Sequence, residues 1–156
     1  MLKYVDTLVS FQEVPDEISL CINISNCPNM CKGCHSPHLR DDIGTPLTFL
    51  ELATLIKSNK GISCVTILGG DNDPAAVNMV AYWIRNSFPN LQVAWYSGKN
   101  RISDKIELKN FDYIKIGSYI EDKGPINSPT TNQTMYQILF SDERFEMIDI
   151  TFKFWK

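Results

Sequence analysis

No stretch of this chain approaches the roughly 20 apolar residues that cross a bilayer. The N-terminus, Met1-Leu2-Lys3-Tyr4-Val5-Asp6, lacks the apolar segment of a signal peptide. A soluble, cytoplasmic protein without a membrane partner is expected. Long basic runs are missing too. With 15 Lys+Arg against 18 Asp+Glu and a net charge of −3, phosphate neutralisation has little to work with, and a nucleic-acid partner is not expected. There is no internal repeat and no linker rich in Gly, Pro or Ser. The 5 cysteines are an odd number, which excludes complete internal pairing. A cytosolic chain also disfavours disulfides. Bunched cysteines in such a chain point to metal or redox chemistry.

What is present suffices for one ordinary core: 156 residues, 44% hydrophobic and 11% aromatic. Residues 1–156 are read as one domain. Ile18, Leu20, Ile22 and Ile24 recur with period two, separated by Ser19, Cys21, Asn23 and Ser25. That spacing predicts a strand with one apolar and one polar face. Thr48 and Glu51 have capping-box spacing ahead of Leu52, Leu55 and Ile56, so a helix should begin there. Ile62–Leu68 reads as a buried strand. Asp73 followed by Pro74 reads as the cap of a second helix, with Val77, Val80, Ala81 and Ile84 on its buried face. Leu91–Tyr96 and Asp112–Ile116 read as further strands. The β-α-β-α-β order predicts an α/β fold with parallel strands and right-handed crossovers. Four such strands are too few for an eight-stranded barrel, which leaves an open sheet or a partial barrel. Over 146–156, Ile148, Ile150, Phe152 and Phe154 alternate with Asp149, Thr151, Lys153 and Trp155, predicting a strand-like C-terminal extension.

Between the first strand and the first helix, residues 25–46 have no period, and long loops in compact domains are usually functional. This loop holds Cys27-Pro-Asn-Met-Cys31-Lys-Gly-Cys34. Three thiols so close in sequence can converge on one centre, and soft thiolates suit zinc or an iron–sulfur cluster. Zinc would take a fourth ligand from His35 or His38. A cubane cluster commonly takes four cysteines. Three would leave one iron open to a ligand from outside the protein, the arrangement that chemistry requires. Cys21 and Cys64 lie within strand patterns and are expected to pack. His38 is expected at the surface. Trp83 and Trp95 are expected to pack, and Asn132 and Gln133 to cap a turn or touch a partner.

The C-x3-C-x2-C spacing after the first strand of an α/β chain resembles the radical S-adenosylmethionine (SAM) family. The strand running into Gly69-Gly70-Asp71 resembles that family's GGE-type motif. The resemblance implies a [4Fe–4S] cluster held by Cys27, Cys31 and Cys34. It implies SAM chelated to the fourth iron and cleaved by one electron to a 5′-deoxyadenosyl radical. It places Gly33, Cys34 and His35 on the adenine side. Gly69, Gly70 and Asp71 fall on the methionine side, where glycines permit close backbone approach and a carboxylate suits an ammonium.

A narrower resemblance is to the small activating proteins of anaerobic (class III) ribonucleotide reductases. It rests on Cys31-Lys32-Gly33-Cys34-His35, on Val93-Ala94-Trp95-Tyr96-Ser97-Gly98, on Asp112-Tyr113-Ile114-Lys115-Ile116-Gly117, and on Thr131-Asn132-Gln133. It covers about residues 1–136. It implies a shortened partial (β/α) barrel of radical SAM type and a glycyl-radical activase. The implied partners are the large anaerobic ribonucleotide reductase subunit and a low-potential electron donor such as flavodoxin, with a homodimer possible. The chain carries no Arg-Val-x-Gly-Tyr-type segment, so the radical-bearing glycine would belong to another chain.

Overall fold

The computed structural model describes residues 1–155. Its strands are β1 (Lys3–Ser10), β2 (Ser19–Ile24), β3 (Thr45–Pro46), β4 (Cys64–Leu68), β5 (Gln92–Tyr96), β6 (Tyr113–Ile116), β7 (Thr134–Ser141) and β8 (Arg144–Asp149). Two helices, α1 (Phe49–Ser58) and α2 (Pro74–Ser87), connect β3 to β4 and β4 to β5. Both helices start where local chemistry dictates. The Thr48 hydroxyl accepts the Glu51 N–H at 3.1 Å. The Asp73 carboxylate accepts the Ala76 N–H at 3.1 Å, ahead of a proline that lacks only an N–H the first turn cannot use.

The sheet order is β3-β1-β2-β4-β5-β6-β7-β8. Its heart, β2-β4-β5-β6, is parallel. The outer strands β1, β3, β7 and β8 pair antiparallel. The α/β class is as expected. The sheet has two separate edges, β3 and β8, and is not closed into a barrel. It is also twice as wide as the four parallel strands read from the sequence, because the N-terminal strand β1, the short strand β3 and the β7–β8 hairpin extend it.

Strand register sorts the side chains into layers. The row Ile22–Ile67–Trp95–Ile114 faces the helices and packs with Leu52, Ile56, Val77, Val80, Ala81 and Ile84. Burying each such aliphatic side chain contributes about 1.5–3 kcal/mol. The opposite face carries the rows Cys21–Thr66–Ala94–Tyr113 and Asn23–Leu68–Tyr96–Lys115.

Two sequence expectations need correction. The face of β2 carrying Ser19 and Cys21 is not a polar surface: both residues are 0% exposed. A second cluster containing Val14, Cys64, Ala94, Tyr113, Ile126, Met135 and Ile150 covers that side of the sheet. Its members come from chain segments far apart in sequence, which strand periodicity does not report. The C-terminal alternation likewise does not continue as a strand. β8 ends at Asp149, and Thr151–Phe154 form a 3₁₀ turn. The reason is local: the Asp149 carboxylate takes the Thr151 N–H at 3.0 Å and the Thr151 hydroxyl at 2.6 Å, and this turn competes with further pairing. Lys156, the last residue of the expected extension, lies outside the described residues.

Candidate metal centre

The cysteine loop starts where β2 stops. Asn26 takes a left-handed φ of +61° and turns the chain out of the sheet. The loop is closed at its base by backbone bonds, Asn26 N–H to Asp41 O at 3.1 Å and Cys27 N–H to Leu39 O at 2.8 Å. The Arg40 guanidinium donates to the Cys31 carbonyl at 2.8 Å. Cys34 N–H closes a tight turn on Cys31 O at 3.3 Å. Gly33 sits inside that turn at φ +76°, which an L side chain adopts only with strain. The Cys34 sulfur accepts the Ser36 N–H at 3.4 Å, and the Cys27 sulfur accepts the Asn29 amide at 3.7 Å.

Across the sheet, β4 runs into Gly69 and Gly70, at φ +104° and +94°. A Cβ on Gly70 would lie 2.5 Å from Val77 Cγ2, so this bend admits no side chain. The Trp95 indole donates to the Gly69 carbonyl at 2.7 Å. Trp95 therefore packs, as expected, and also fixes the bend. Asp71 follows, and its carboxylate gathers three donors. They are the Ser97 hydroxyl at 2.5 Å, the Gly98 N–H at 2.7 Å and the Asn29 amide at 2.7 Å. A carboxylate offers about four lone-pair positions, so one remains for a further donor. Asp71 thus ties together the ends of β4 and β5 and the cysteine loop.

These pieces surround one cavity of about 1070 Å³ at the carboxyl ends of the parallel strands, the position where open α/β sheets bind ligands. Cys27, Cys31, Cys34, His35, Gly69 and Asp71 all line it. Gly33 and Gly70 shape its loops without lining it. The sulfurs share the cavity but not a coordination sphere: among the described residues no three His, Cys, Asp or Glu side chains are gathered to hold one metal ion. By donor chemistry the loop fits an iron–sulfur cluster, since it presents three thiols to one cavity. His35 stacks at a tilt against Tyr119, centroids 5.4 Å apart, and His38 is exposed.

The other two cysteines have a different environment. Cys21 and Cys64 are buried, and desolvation pushes both thiols up to about 12. They stay protonated at neutral pH and are poor metal ligands. Asn132 and Gln133 brace the end of β6, donating to the carbonyls of Ser118 at 3.0 Å and Gly117 at 3.3 Å. Trp83 stacks on Phe49 at 5.1 Å on the helical side.

Three contributors escaped the sequence reading. Asn29 looked like loop filler between two cysteines. Ser97 and Gly98 entered only as the end of a strand segment that carries the resemblance, with no role at the site. A Cβ on Gly98 would come within 2.5 Å of Asn29 Nδ2, so that glycine makes room for the bond between Asn29 and Asp71.

An α/β sheet with a thiol-bearing loop at its carboxyl edge defines a candidate iron–sulfur protein. The chain belongs to the 4Fe–4S single cluster domain family, whose model matches residues 18–138, from β2 into β7. No curated protein and no solved structure matches the chain. Among the described residues no helix is long and apolar enough to cross a membrane.

Proposed function

We propose that this protein is a radical SAM activase that generates a glycyl radical on an anaerobic ribonucleoside-triphosphate reductase. One observation carries the proposal: the cysteine loop and Gly69-Gly70-Asp71 face one cavity and are joined by the Asn29–Asp71 bond. The family's cluster domain, found in radical SAM-type activases, supports it. So does the parallel core β2-β4-β5-β6 of the open sheet, with the cavity at its carboxyl ends.

On this proposal Cys27, Cys31 and Cys34 hold the cluster. The bound cluster and SAM supply the one-electron chemistry that makes the hydrogen-abstracting radical. The chain's own residues bind and orient. Gly33, Cys34 and His35 offer backbone to the adenine. Gly69 and Gly70 let the methionine end approach the strand tip. The remaining lone pair of Asp71 accepts its ammonium. The cavity is large enough to admit a loop of the reductase beside the cofactor. A low-potential donor such as flavodoxin would reduce the cluster in the cytoplasm, and a homodimer is compatible with the free β8 edge.

Anaerobic reconstitution followed by electron paramagnetic resonance with the candidate reductase tests this. A glycyl radical doublet dependent on SAM is expected. A reconstituted protein that cleaves SAM but never radicalises the reductase would point to another radical SAM enzyme. A second reading is a Cys3His zinc site, for which His35 lines the same cavity as the three cysteines. It requires a colourless protein with one zinc and no iron.

A further inference from the structure

The far side of the cavity floor holds a cation that the cofactor does not explain. Lys115 ends the row Asn23–Leu68–Tyr96–Lys115, and all four residues line the cavity. Its ammonium lies 3.9 Å from the centroid of the Tyr96 ring. The ring is held in turn, because the Tyr96 hydroxyl donates to the backbone carbonyl of Glu13. Lys115 is therefore laid on a fixed platform instead of reaching to solvent. Lys3, Lys109 and Lys153 each have a carboxylate partner. Lys115 forms no such ion pair among the described residues, and Glu13 attracts it only from a distance.

Taking an ammonium out of water without a counter-charge is costly. Burial accordingly lowers this amine to about 8. An apolar residue would fill the same place on β6 at no such cost. Lys115 lies on β6, two strands from β4, and its carbonyl takes the N–H of Ser97, whose hydroxyl donates to Asp71.

We propose that Lys115, clamped on Tyr96, is an anion-binding subsite for a carboxylate carried by the molecule that enters the cavity beside SAM. This rests on the activase proposal for what that molecule is: a polypeptide segment with an acidic side chain or a terminal carboxylate.

The test is competitive acetylation of the full chain with an N-hydroxysuccinimide ester at about pH 8, read lysine by lysine by mass spectrometry. The probe is N-acetylglutamate, with N-acetylglutamine as its uncharged control and SAM as a third arm. Lys115 should be acetylated in the free protein. It should be protected about fivefold when N-acetylglutamate is at about four times its Kd, and not by N-acetylglutamine. Lys3 and Lys109 should be unaffected. A Lys115 that never reacts, or that neither acid nor amide protects, would overturn the subsite. Protection by SAM alone would assign the amine to the cofactor and overturn it as well. Failure of the activase proposal shows separately, as absence of SAM cleavage by the reconstituted protein.

Discussion

Asn29 Nδ2 donates to Asp71 Oδ2 at 2.7 Å, joining two residues 42 positions apart. One belongs to the cysteine loop and the other to the tip of β4. The bond fixes where the thiols sit relative to the strand ends, and Gly98 leaves the space for it. Asn29 and Gly98, which have no proposed ligand of their own, thus help determine whether the proposed cluster and SAM sites face each other.

Asn29→Ala should therefore weaken SAM binding without disturbing the core. A hydrogen bond to a charged group contributes about 1.5–3 kcal/mol, so affinity should fall about tenfold or more. Isothermal titration of the reconstituted protein with SAM measures this. An unchanged affinity would mean the loop is positioned by its base alone.

Asp71→Asn goes further than charge neutralisation. Asp71 accepts from Ser97, Gly98 and Asn29; an amide could turn its nitrogen only toward the Ser97 hydroxyl, which can accept, and all three bonds would lose the charge that strengthens them. The sequence alone suggests that the cluster would still assemble in this variant, because Asp71 is not a proposed ligand. The structure instead indicates weaker iron retention as well as weaker SAM binding, together with a stability loss of about 1–3 kcal/mol. Iron content, SAM titration and thermal melting report the three effects. Full iron content with normal stability would restrict Asp71 to the SAM side.

The chain should show a shallow stability maximum near pH 9. Lys115 releases its proton at about 8 when folded, against an ordinary value of 10.5. Above pH 8 the unfolded chain therefore holds more protons, and stability rises with pH. Cys21 and Cys64 act oppositely. They ionise at 9.0 when unfolded and at about 12 when folded. Their stabilisation is complete below pH 9 and is lost progressively between 9 and 12. Denaturant titrations from pH 7 to 11 should show the rise and then the fall. Lys115→Met should remove the rise and stabilise the protein at pH 7. The paired Cys21→Ala, Cys64→Ala variant should flatten the fall between pH 9 and 10, while burial of the Tyr96 and Tyr113 hydroxyls, which raises both above the ordinary 10.0, still lowers stability at higher pH. A Lys115→Met protein less stable at pH 7 would show that the amine has a counter-charge when folded.

Removing residues 150–156 should destabilise the fold. Ile150 is only 4% exposed, and burying such a side chain contributes about 1.5–3 kcal/mol. The Thr151 hydroxyl accepts the Met135 N–H at 3.0 Å. Lys153 pairs with Asp16 at 3.0 Å, and the Trp155 indole donates to the Ile126 carbonyl at 3.0 Å. Truncation should lower the melting temperature by several degrees. An unchanged melting temperature would make the tail dispensable for folding.

The parts of the molecule legible in the sequence were those set by short-range chemistry. Thr48 and Asp73 announced their helices because a cap needs only the next few N–H groups. The parallel strands were legible because Val65, Ile67, Val93 and Ile114 are buried in β-branched runs. β1 escaped because Lys3-Tyr4-Val5-Asp6-Thr7 has no clean alternation. The β7–β8 hairpin escaped because its turn, Asp142-Glu143, has positive φ at both residues without the usual glycine. The second core cluster was illegible for a different reason. It assembles Val14, Ile126 and Ile150 from distant segments, and no local pattern in Ser19 or Cys21 reports that cover. At the site, the three cysteines and Gly69-Gly70-Asp71 stood out by residue type and spacing. Asn29 and Lys115 did not, because their roles depend on which strand end lies opposite.

The most direct measurement is iron content and electron paramagnetic resonance after anaerobic reconstitution of the wild type and of Cys27→Ala, Cys31→Ala, Cys34→Ala and Cys64→Ser. Wild type and Cys64→Ser should hold about four irons and give a reduced-cluster signal that changes on adding SAM. Each of the three loop variants should lose both. Iron retained without one of Cys27, Cys31 or Cys34, or lost from a normally folded Cys64→Ser protein, would contradict a cluster held by the loop at this cavity.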